Sequence, residues 1–320
     1  MPTKTRTRTT PTPMLIPSLI PPPKPDYQIK ADPRARVYVG DCREVIPRLE
    51  ECEAGEVDLI FADPPFNLSR AYDEWHDAMP EDEYLDFTYA WLDLSVDALR
   101  PGGALWVNIP DTWAAEIVMH LKGGRGSARC MTMINWCIWH YRFGQNTTGR
   151  FISSKVHALF FVKGGAAHTW NGRDVVEMSD RRSIYFDKRT ENKRDGMPAG
   201  MRLPMDVWYG KFWGRVQGNN MERRDYHDNQ LPELYLERVI RVSSNAGDLV
   251  MDPFLGSGTT GVIAHALGRR FIGIEFSKAN AKSSFERIKA GPVRELGAMK
   301  GASTAIFGAR GKPRHAAADR

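Results

Sequence analysis

The feature that most constrains the fold is a repeated order of short apolar runs, polar corners and helical segments. Four apolar runs rich in β-branched and aromatic residues each end in a polar corner, which predicts buried strands. They are RVYVGD (36–41), VDLIFAD (57–63), DLVMDPF (248–254) and RRFIGIEF (269–276). Strands that alternate with helices indicate a doubly wound, mostly parallel α/β sheet. Such a sheet binds its ligand beyond the carboxyl ends of its strands.

The segments between these runs supply helices and three further strands. Residues 80–103 predict a long helix, because apolar side chains recur at spacings of three and four and acids crowd the first turn. Two glycines, Gly102 and Gly103, would end it. Shorter helices are predicted over 42–49, 113–121, 234–242 and 259–267. Strands are predicted over 104–109, 133–141 and 155–164, the last two as an antiparallel pair.

The first motif that carries chemistry is MDPFLGSGTTGVIAHAL, residues 251–267. Gly256, Gly258 and Gly261 form G-x-G-x-x-G between a strand and a helix, so the backbone can turn tightly and approach a ligand closely. A dinucleotide and S-adenosylmethionine both fit this pattern. A tight strand–helix turn without a ligand is the structural alternative.

Acidic residues lie at four of the predicted strand ends: Asp41, Asp63, Asp252 and Glu275. Glu275 is suited to accept hydrogen bonds from ribose hydroxyls. Asp252 can hold the ammonium of a methionine moiety, and the nearby Phe254 offers an apolar wall. The dinucleotide pattern does not require an acid before the first glycine, so Asp252 favours S-adenosylmethionine.

The second motif is Asp63-Pro64-Pro65-Phe66, directly after a predicted strand. The exocyclic amine of a nucleobase is a poor nucleophile, and an acceptor pair aimed at it would help it to attack a methyl sulfonium. The Asp63 carboxylate and the Pro64 carbonyl can form that pair on a backbone stiffened by proline. Phe66 can stack on a base taken out of the helix. A rigid strand-capping turn is the alternative.

Together these motifs resemble the DNA amino-methyltransferases, which methylate N6 of adenine or N4 of cytosine. The catalytic motif precedes the glycine loop with a basic segment between them, an order similar to the beta class of that family. Over residues 36–289, the resemblance implies a Rossmann-like methyltransferase fold and S-adenosylmethionine as cofactor. It also implies base flipping and direct transfer to double-stranded DNA.

The resemblance assigns roles residue by residue. The catalytic positions are Asp63, Pro64, Pro65 and Phe66. The cofactor positions are Asp41, Cys42, His227, Gln230, Asp252, Pro253, Phe254, Gly256, Ser257, Gly258, Thr259 and Glu275. The tetrapeptide ends in Phe66 where Tyr is commoner in the family, and the residues from Asp228 to Leu231 match less closely. An aspartate as first residue is similar to the adenine-N6 enzymes, whereas the cytosine-N4 enzymes more often begin with serine.

Charge and composition indicate a protein that binds a polyanion. The net charge is +5, and residues 1–30 and 291–320 each carry +4, as counted from the sequence. Residues 164–227 carry +3 and scattered aromatic side chains, which is typical of a DNA-contacting segment. Its candidate contacts are Arg181, Arg182, Arg189, Lys193, Arg194, Arg202, Arg223 and Arg224.

The expected organisation has five parts. A disordered basic tail (1–33) precedes the catalytic half of the domain (34–163), and a target-recognition insert (164–227) separates that half from the cofactor-binding half (228–290). A flexible basic tail (291–320) follows. With no apolar run of about 18 residues and no Cys-x-x-Cys pair, we expect a cytoplasmic protein without a metal site.

Several alternatives stay open at the level of the sequence. Cytosine-N4 methylation and an RNA substrate would use the same motifs. An NAD-dependent dehydrogenase would use the glycine loop but would leave the catalytic tetrapeptide and the basic insert unexplained. A DNA-binding protein with an inactive fold would not need an intact loop. A homodimer and a cognate restriction endonuclease are further partners that the resemblance allows.

Overall fold

The computed structural model of the chain describes residues 22–68, 77–123, 130–141, 144, 146–192, 196–210, 213–218, 220–224 and 229–297. The strands in these ranges are β1 (Tyr27–Ile29), β2 (Ala35–Val39), β3 (Val57–Ala62), β4 (Leu99–Ile109), β5 (Met131–His140), β6 (Lys155–Lys163), β7 (Glu177–Met178), β8 (Met201–Arg202), β9 (Val207–Trp208), β10 (Leu249–Asp252) and β11 (Arg270–Glu275). The α-helices are α1 (Cys42–Val45), α2 (Glu50–Glu53), α3 (Glu81–Ala98), α4 (Asp111–Leu121), α5 (Asp180–Ser183), α6 (Glu233–Ser243), α7 (Thr259–Ala266) and α8 (Lys278–Ala290).

Nine of the described strands form one sheet in the order β1-β2-β11-β10-β3-β4-β6-β5-β9. Strands β2, β11, β10, β3 and β4 run parallel to one another, whereas β6 pairs antiparallel with both β4 and β5. The sheet is therefore doubly wound and mostly parallel, as predicted. The order of connection reverses between β10 and β3, which makes that point the switch where such folds bind ligands.

Helices cover both faces of the sheet and divide the core in two. Helices α1 to α4 pack on one face, with Trp91 and Tyr84 among the most deeply buried side chains. Helices α6, α7 and α8 pack on the other face, around Tyr235 and Phe271. Full burial of an apolar side chain contributes about 1.5–3 kcal/mol, so these two clusters hold the layers together.

The long helix predicted over 80–103 ends earlier than expected. Helix α3 stops at Ala98 and β4 begins at Leu99, which pairs with Val57 before a register shift. Gly102 and Gly103 belong to this irregular strand. A Cβ on Gly103 would lie 2.9 Å from the Arg100 carbonyl oxygen, and one on Gly102 would lie 2.5 Å from the Ala167 carbonyl oxygen. The two glycines thus permit close backbone approach rather than helix termination.

Two other predicted elements differ from the structure. The helix expected over 42–49 is broken into α1 and a 3₁₀ turn at Ile46–Arg48, where Pro47 lacks the N–H that would continue an α-helix. Helix α8 was not predicted, because its sequence KANAKSSFERIKA is polar along most of its length.

Part of each terminal segment that was expected to be disordered or flexible has a defined structure. The prediction for 1–33 is wrong for Tyr27–Ile29, which pairs antiparallel with β2, and the Tyr27 ring stacks on Phe285 at 5.5 Å. Beyond α8, the backbone N–H groups of Val293 and Gly297 donate to carboxylates of α6. Residues 1–21 and 298–320 lie outside the described residues.

The segment 164–227, expected to be a separate insert, contributes to the main sheet. Strand β9 pairs parallel with β5, and Trp208 and Trp213 are buried in the same core as Tyr235. The segment also holds the small β7–β8 sheet. No helix in the described parts of the chain is long and apolar enough to cross a membrane.

Candidate active site

A cleft follows the carboxyl edge of the parallel strands. In sheet order, Asp41 lies after β2, Glu275 ends β11, Asp252 ends β10 and Asp63 lies after β3, and all four line the cleft. The register explains their proximity: Glu275 pairs with Val39, and Asp252 pairs with Gly273. Four residues that are far apart in sequence therefore meet across the switch point.

Most of the predicted site residues line this cleft. They are Asp41, Cys42, Asp63, Pro64, Pro65, Phe66, Asp252, Pro253, Phe254, Gly256, Ser257, Thr259 and Glu275. Two others, Gly258 and Gln230, do not line it, and His227 falls outside the described residues.

Gln230 and Gly258 have roles in packing. The Gln230 side chain is buried and donates from Nε2 to the Glu222 carbonyl oxygen at 2.6 Å. Gly258 caps α7 with φ +82°, and a Cβ there would lie 2.8 Å from the Ser284 Cβ. Gly258 therefore lets the loop lie against α8, while its neighbours face the cleft.

Sequence reasoning missed several residues of the cleft wall. The cleft is also lined by Gly40, Phe61, Phe87, Asn229, Leu231, Leu255, Thr260, Ile274, Phe276, Ser277 and Asn280. Most of these are ordinary strand, helix or turn residues whose local sequence carries no signal. Residues 276–280 could have been found from their position just after the strand-end acid Glu275.

The carboxylate of Glu275 is held in place by backbone donors. Its Oε2 accepts from the Gly256 N–H at 2.8 Å, and its Oε1 accepts from the Ser277 N–H at 3.0 Å. One bond reaches into the glycine loop and the other into the start of the next helical segment. The acid thus ties the loop after β10 to the end of β11 and keeps a negative charge at the cleft.

Asp252 is a buried carboxyl at the centre of the cleft. Its side chain accepts from the Phe254 N–H at 2.9 Å. Burial raises the pKa of Asp252 to about 7, hydrogen bonds from Thr260 and Phe254 lower it, and the charge of Glu275 raises it further. An acid in this state gains most from a cation, which would favour its ionised form.

Aromatic rings form one wall of the cleft. Phe254 packs edge to face against Trp91 at 5.1 Å and against Phe87 at 6.2 Å. The guanidinium of Arg43 lies 4.9 Å from the centre of the Phe87 ring. The same guanidinium pairs with Asp41 at 2.6 Å. The wall suits a flat heterocycle, with polar groups at its edge.

The Asp-Pro-Pro-Phe loop is fixed by side chains from two helices. Tyr84 of α3 donates its hydroxyl to the Pro65 carbonyl at 2.6 Å, and Trp113 of α4 donates Nε1 to the Phe66 carbonyl at 2.8 Å. Next in the chain, Asn67 has φ 54°, and its N–H donates to the buried Asp77 at 2.8 Å. The loop is therefore clamped through its carbonyl groups.

One carbonyl of this loop is left available. Within the described residues, the Pro64 carbonyl accepts no hydrogen bond, unlike those of Pro65 and Phe66. The Asp63 carboxylate accepts one, from Asn108 Nδ2 to Oδ1 at 2.7 Å, and its Oδ2 receives none from the described chain. Two adjacent residues that line the cleft thus each offer an acceptor that has no hydrogen-bond partner in the described part of the chain.

Asp63 has a strongly shifted pKa although it stays partly exposed to the cleft. Burial raises the pKa of Asp63 to about 7, the hydrogen bond from Asn108 lowers it, and the charge of Asp252 raises it. A carboxyl that ionises near neutral pH can accept a hydrogen bond or a proton there. Among the described residues, no cluster of His, Cys, Asp and Glu is arranged to hold a metal ion.

Comparison with known proteins places these residues in a family context. Residues 57–286 match the family model described as DNA methylase. Type II methyltransferase M.BamHI of Bacillus amyloliquefaciens is 34% identical over 79% of this chain, which spans 57% of that longer relative. M1.MboII of Moraxella bovis is 32% identical over 72% of this chain and 88% of its own. The DNA adenine methyltransferase YhdJ of Escherichia coli is 29% identical over 77% of this chain and 80% of its own length.

Solved structures share the fold. The M1.HpyAVI–SAM complex aligns over 79% of this chain and 99% of its own, with 21% identity and a TM-score of 0.51. The cytosine-N4-specific PvuII DNA methyltransferase aligns over 80% and 86%, with 16% identity and a TM-score of 0.57. At these identities the similarity concerns the methyltransferase fold alone.

Proposed function

The chain belongs to the DNA methylase family of amino-methyltransferases, and we propose that it methylates N6 of an adenine flipped out of double-stranded DNA. The observation that carries this proposal is a pair of acceptors in the cleft wall that have no hydrogen-bond partner among the described residues. The open Oδ2 of Asp63 and the open carbonyl of Pro64 come from adjacent residues. They lie beside the residues suited to a methyl donor.

S-adenosylmethionine is the family's cofactor, and when bound it supplies an electrophilic methyl group whose carbon–sulfur bond breaks as the nitrogen–carbon bond forms. The chemistry of the cleft fits this molecule. Glu275 offers a fixed carboxylate for ribose hydroxyls. Phe254 and Phe87 offer an aromatic wall for adenine, and the raised pKa of Asp252 favours a cationic partner such as an ammonium group.

The chain's own part in the reaction is to bind and polarise the target amine. The Asp63 carboxylate and Pro64 carbonyl accept the two N–H bonds of the amine, which draws electron density toward nitrogen as it becomes tetrahedral. Transfer leaves the amine with one proton too many. Asp63, whose pKa lies near 7, is placed to receive that proton and pass it to solvent. Phe66 lies beside the pair and can stack on the base.

Adenine is preferred as the target base because the catalytic tetrapeptide begins with aspartate. The relative YhdJ, whose name states DNA adenine methylation, supports this choice. Cytosine-N4 and RNA amines stay as alternatives, since both present the same chemical group. The dehydrogenase alternative is wrong, because the chain belongs to the methylase family. Hydride transfer also does not require the pair of acceptors on Asp63 and Pro64.

We also propose that residues 164–227 recognise the DNA target. Arg181 and Arg189 flank Asp187 in ion pairs at 2.8 and 2.9 Å and keep more than half of their side-chain surface exposed. The exposed rings of Tyr185 and Phe186 lie between them in sequence. Arg202, by contrast, is mostly buried in pairs with acids of its own segment, which favours a structural role.

The remaining predicted DNA contacts are less informative. Arg223 and Arg224 donate to carbonyl groups of their own loop, and Lys193 and Arg194 lie outside the described residues. A homodimer and a cognate restriction endonuclease are further partners proposed from the resemblance. Relatives named type II methyltransferases support the second of these.

The function is tested by incubating the purified protein with tritiated S-adenosylmethionine and unmethylated genomic DNA, followed by nucleoside analysis. We expect label in N6-methyladenine. Label in N4-methylcytosine would correct the base, and absence of transfer to DNA and RNA would refute the activity.

The same assay tests the catalytic assignment. Asp63→Ala should lower transfer by about 100-fold or more, as loss of a preorganised catalytic group does. Cofactor affinity should stay within about threefold, since the principal cofactor contacts lie elsewhere in the cleft. Asp26→Ala, which removes a carboxylate beside β2 outside the cleft, is the control. Retention of full activity by Asp63→Ala would show that another group carries the reaction.

A further inference from the structure

Behind Asp63, two buried side chains continue the hydrogen-bonded network away from the cleft. Asn108 of β4 donates Nδ2 to Asp63 Oδ1 at 2.7 Å, and its Oδ1 accepts from the hydroxyl of Tyr235 of α6 at 3.1 Å. Asn108 is 1% exposed and Tyr235 is 0% exposed. The sheet brings Asp63 and Asn108 together. Ala62 pairs with Val107, and Asp63 and Asn108 are the residues that follow them in the chain.

The direction of each hydrogen bond follows from chemistry. Burial raises the pKa of Tyr235 well above its usual value, and the nearby charge of Asp63 raises it further, so the hydroxyl keeps its proton. The Tyr235 hydroxyl therefore donates to the amide oxygen of Asn108. That bond leaves the amide nitrogen, which can only donate, facing the carboxylate.

The Tyr235 ring is held so that its hydroxyl has little freedom. Phe61, Trp139 and Trp208 pack edge to face around the ring, with centroid distances of 5.8, 5.5 and 5.2 Å. These contacts come from β3, β5 and β9. Because the ring of Tyr235 is packed on three sides, its hydroxyl can hold the orientation of the Asn108 amide without a further loss of conformational entropy when the substrate binds.

We propose that Asn108 and Tyr235 are positioning residues for the catalytic carboxylate, and this inference rests on the proposed function. Asn108 occupies Oδ1 of Asp63 and so leaves Oδ2 as the open acceptor for the target amine. Tyr235 fixes the amide of Asn108 in the orientation that makes this possible. Neither residue touches the reacting atoms, and both act through Asp63.

The arrangement also controls the ionisation of Asp63. The charged or titratable groups that face Asp63 are Asp252 from β10, which raises its pKa, and Tyr235 from α6, which stays neutral. The hydrogen bond from Asn108 is the one interaction among the described residues that lowers the pKa of Asp63. Its loss should therefore move the ionisation of Asp63 to higher pH.

The test compares single-turnover methyl transfer to DNA across pH 5–9 for the wild type, Asn108→Ala and Tyr235→Phe. We expect Asn108→Ala to lower the rate at pH 7 by about 10- to 100-fold, the usual effect of losing a hydrogen bond to a charged group. We also expect the acidic limb of its pH profile to shift to higher pH. Tyr235→Phe keeps the ring and should give a smaller loss, about 3- to 10-fold, with a shift in the same direction.

Tyr38→Phe is the matched control, because it removes the hydroxyl of another buried tyrosine, which lies on β2 and is separated from β3 by β11 and β10. Its profile should coincide with that of the wild type. A loss in Asn108→Ala that is equal at every pH, or no loss at all, would overturn the inference. Failure of the proposed function is distinct from either result, because in that case the wild type itself would transfer no methyl group.

Discussion

At the scale of single residues, the site places two carboxyl groups where ionisation is unfavourable. Asp63 and Asp252 each have a pKa raised to about 7, chiefly by burial, and the charge of Asp252 also acts on Asp63. Both carboxylates are thus poorly stabilised until a cation or a target amine reaches them. The free protein carries an electrostatic cost at the position where the ligand supplies the compensating charge.

The sign of this cost gives a prediction. The pKa of Asp63 is raised above its unfolded value, so the folded state binds more protons than the unfolded state, and stability falls as pH rises from about 4 to about 7. Asp63→Asn cannot ionise and should escape this loss. We expect its Tm, measured without cofactor, to exceed that of the wild type by more at pH 8 than at pH 5, while methyl transfer is abolished.

Asp187→Asn is the contrasting control for this experiment. Hydrogen bonds from Arg189 lower the pKa of Asp187, with the charges of Arg189 and Arg181 acting in the same direction, so its carboxylate favours the folded state above its unfolded pKa. That variant should show no gain at pH 8. If Asp63→Asn has the same Tm difference at both pH values, the carboxyl is not forced to ionise at a cost.

The residues that could be predicted from sequence are those with a local signal. Asp63 and Asp252 each stand at a strand end inside a short motif, so their location at the carboxyl edge of the sheet could be predicted, and their roles stay proposals. Asn108 has no such signal, because it lies inside an apolar strand and meets Asp63 only through the register of β3 with β4. Tyr235 occupies a helix position that periodicity alone would assign to the core.

At the scale of elements, the loop that we propose to bind the cofactor, residues 256–259 (the cofactor loop), depends on how closely it can approach α8. Gly258 has φ +82°, and a Cβ there would press on Ser284, whose hydroxyl also donates to the Gly256 carbonyl at 2.5 Å. Arg287, one turn further along α8, donates to the Ser257 carbonyl at 3.0 Å and to Thr259 Oγ1 at 2.8 Å. The loop is thus shaped by the helix behind it.

Gly258→Ala should therefore weaken cofactor binding, by about 10- to 100-fold if the loop moves by about 1 Å. Gly247→Ala is a matched control, because Gly247 has φ +85° but a Cβ there would meet nothing within 4 Å. Both substitutions place a Cβ at a positive φ and strain the backbone. Only Gly258→Ala also brings that Cβ against Ser284 of α8. Calorimetric titration with S-adenosylmethionine compares them. Equal affinities of the two variants would show that contact with α8 does not control cofactor binding.

Strand β9 shows why some elements could not be predicted. It has two residues, Val207 and Trp208, in a segment with little periodicity, and it exists because the edge of β5 is available for pairing. Whether a short strand of this kind forms depends on the strands beside it and not on its local propensity. The long central strands, by contrast, carry enough β-branched and aromatic residues to be identified alone.

At the scale of the whole molecule, α6 contacts three parts of the structure to which we propose different roles. Its Tyr235 supports Asp63, and its Glu233 pairs at 3.1 Å with Arg287, which holds the cofactor loop. Its Arg238 pairs at 2.8 Å with Glu177 of the segment proposed to recognise DNA. Helix α6 therefore contacts supports of the proposed catalytic carboxylate, of the proposed cofactor loop and of the segment proposed to recognise DNA.

The pair between Arg238 and Glu177 gives the last prediction. Both side chains are about 95% buried, and the guanidinium lies 4.3 Å from the Trp213 ring and 5.3 Å from the Trp208 ring. Arg238→Met keeps an apolar stem but leaves Glu177 with Arg202 at 3.3 Å as its remaining ion-pair partner among the described residues. Removing one partner of a buried pair costs about 3–5 kcal/mol of unfolding free energy, which urea denaturation measures.

Lys289→Ala removes one side of an exposed pair with Glu286 at 2.9 Å and should cost less than about 0.5 kcal/mol. Arg238 holds residues 164–227 and not the cofactor loop. We therefore expect Arg238→Met to lower the affinity for DNA more than the affinity for S-adenosylmethionine. Equal losses of the two affinities would mean that the segment and the cofactor site unfold together. A loss of stability within 1 kcal/mol of the Lys289→Ala control would mean that the aromatic contacts alone hold the segment to α6.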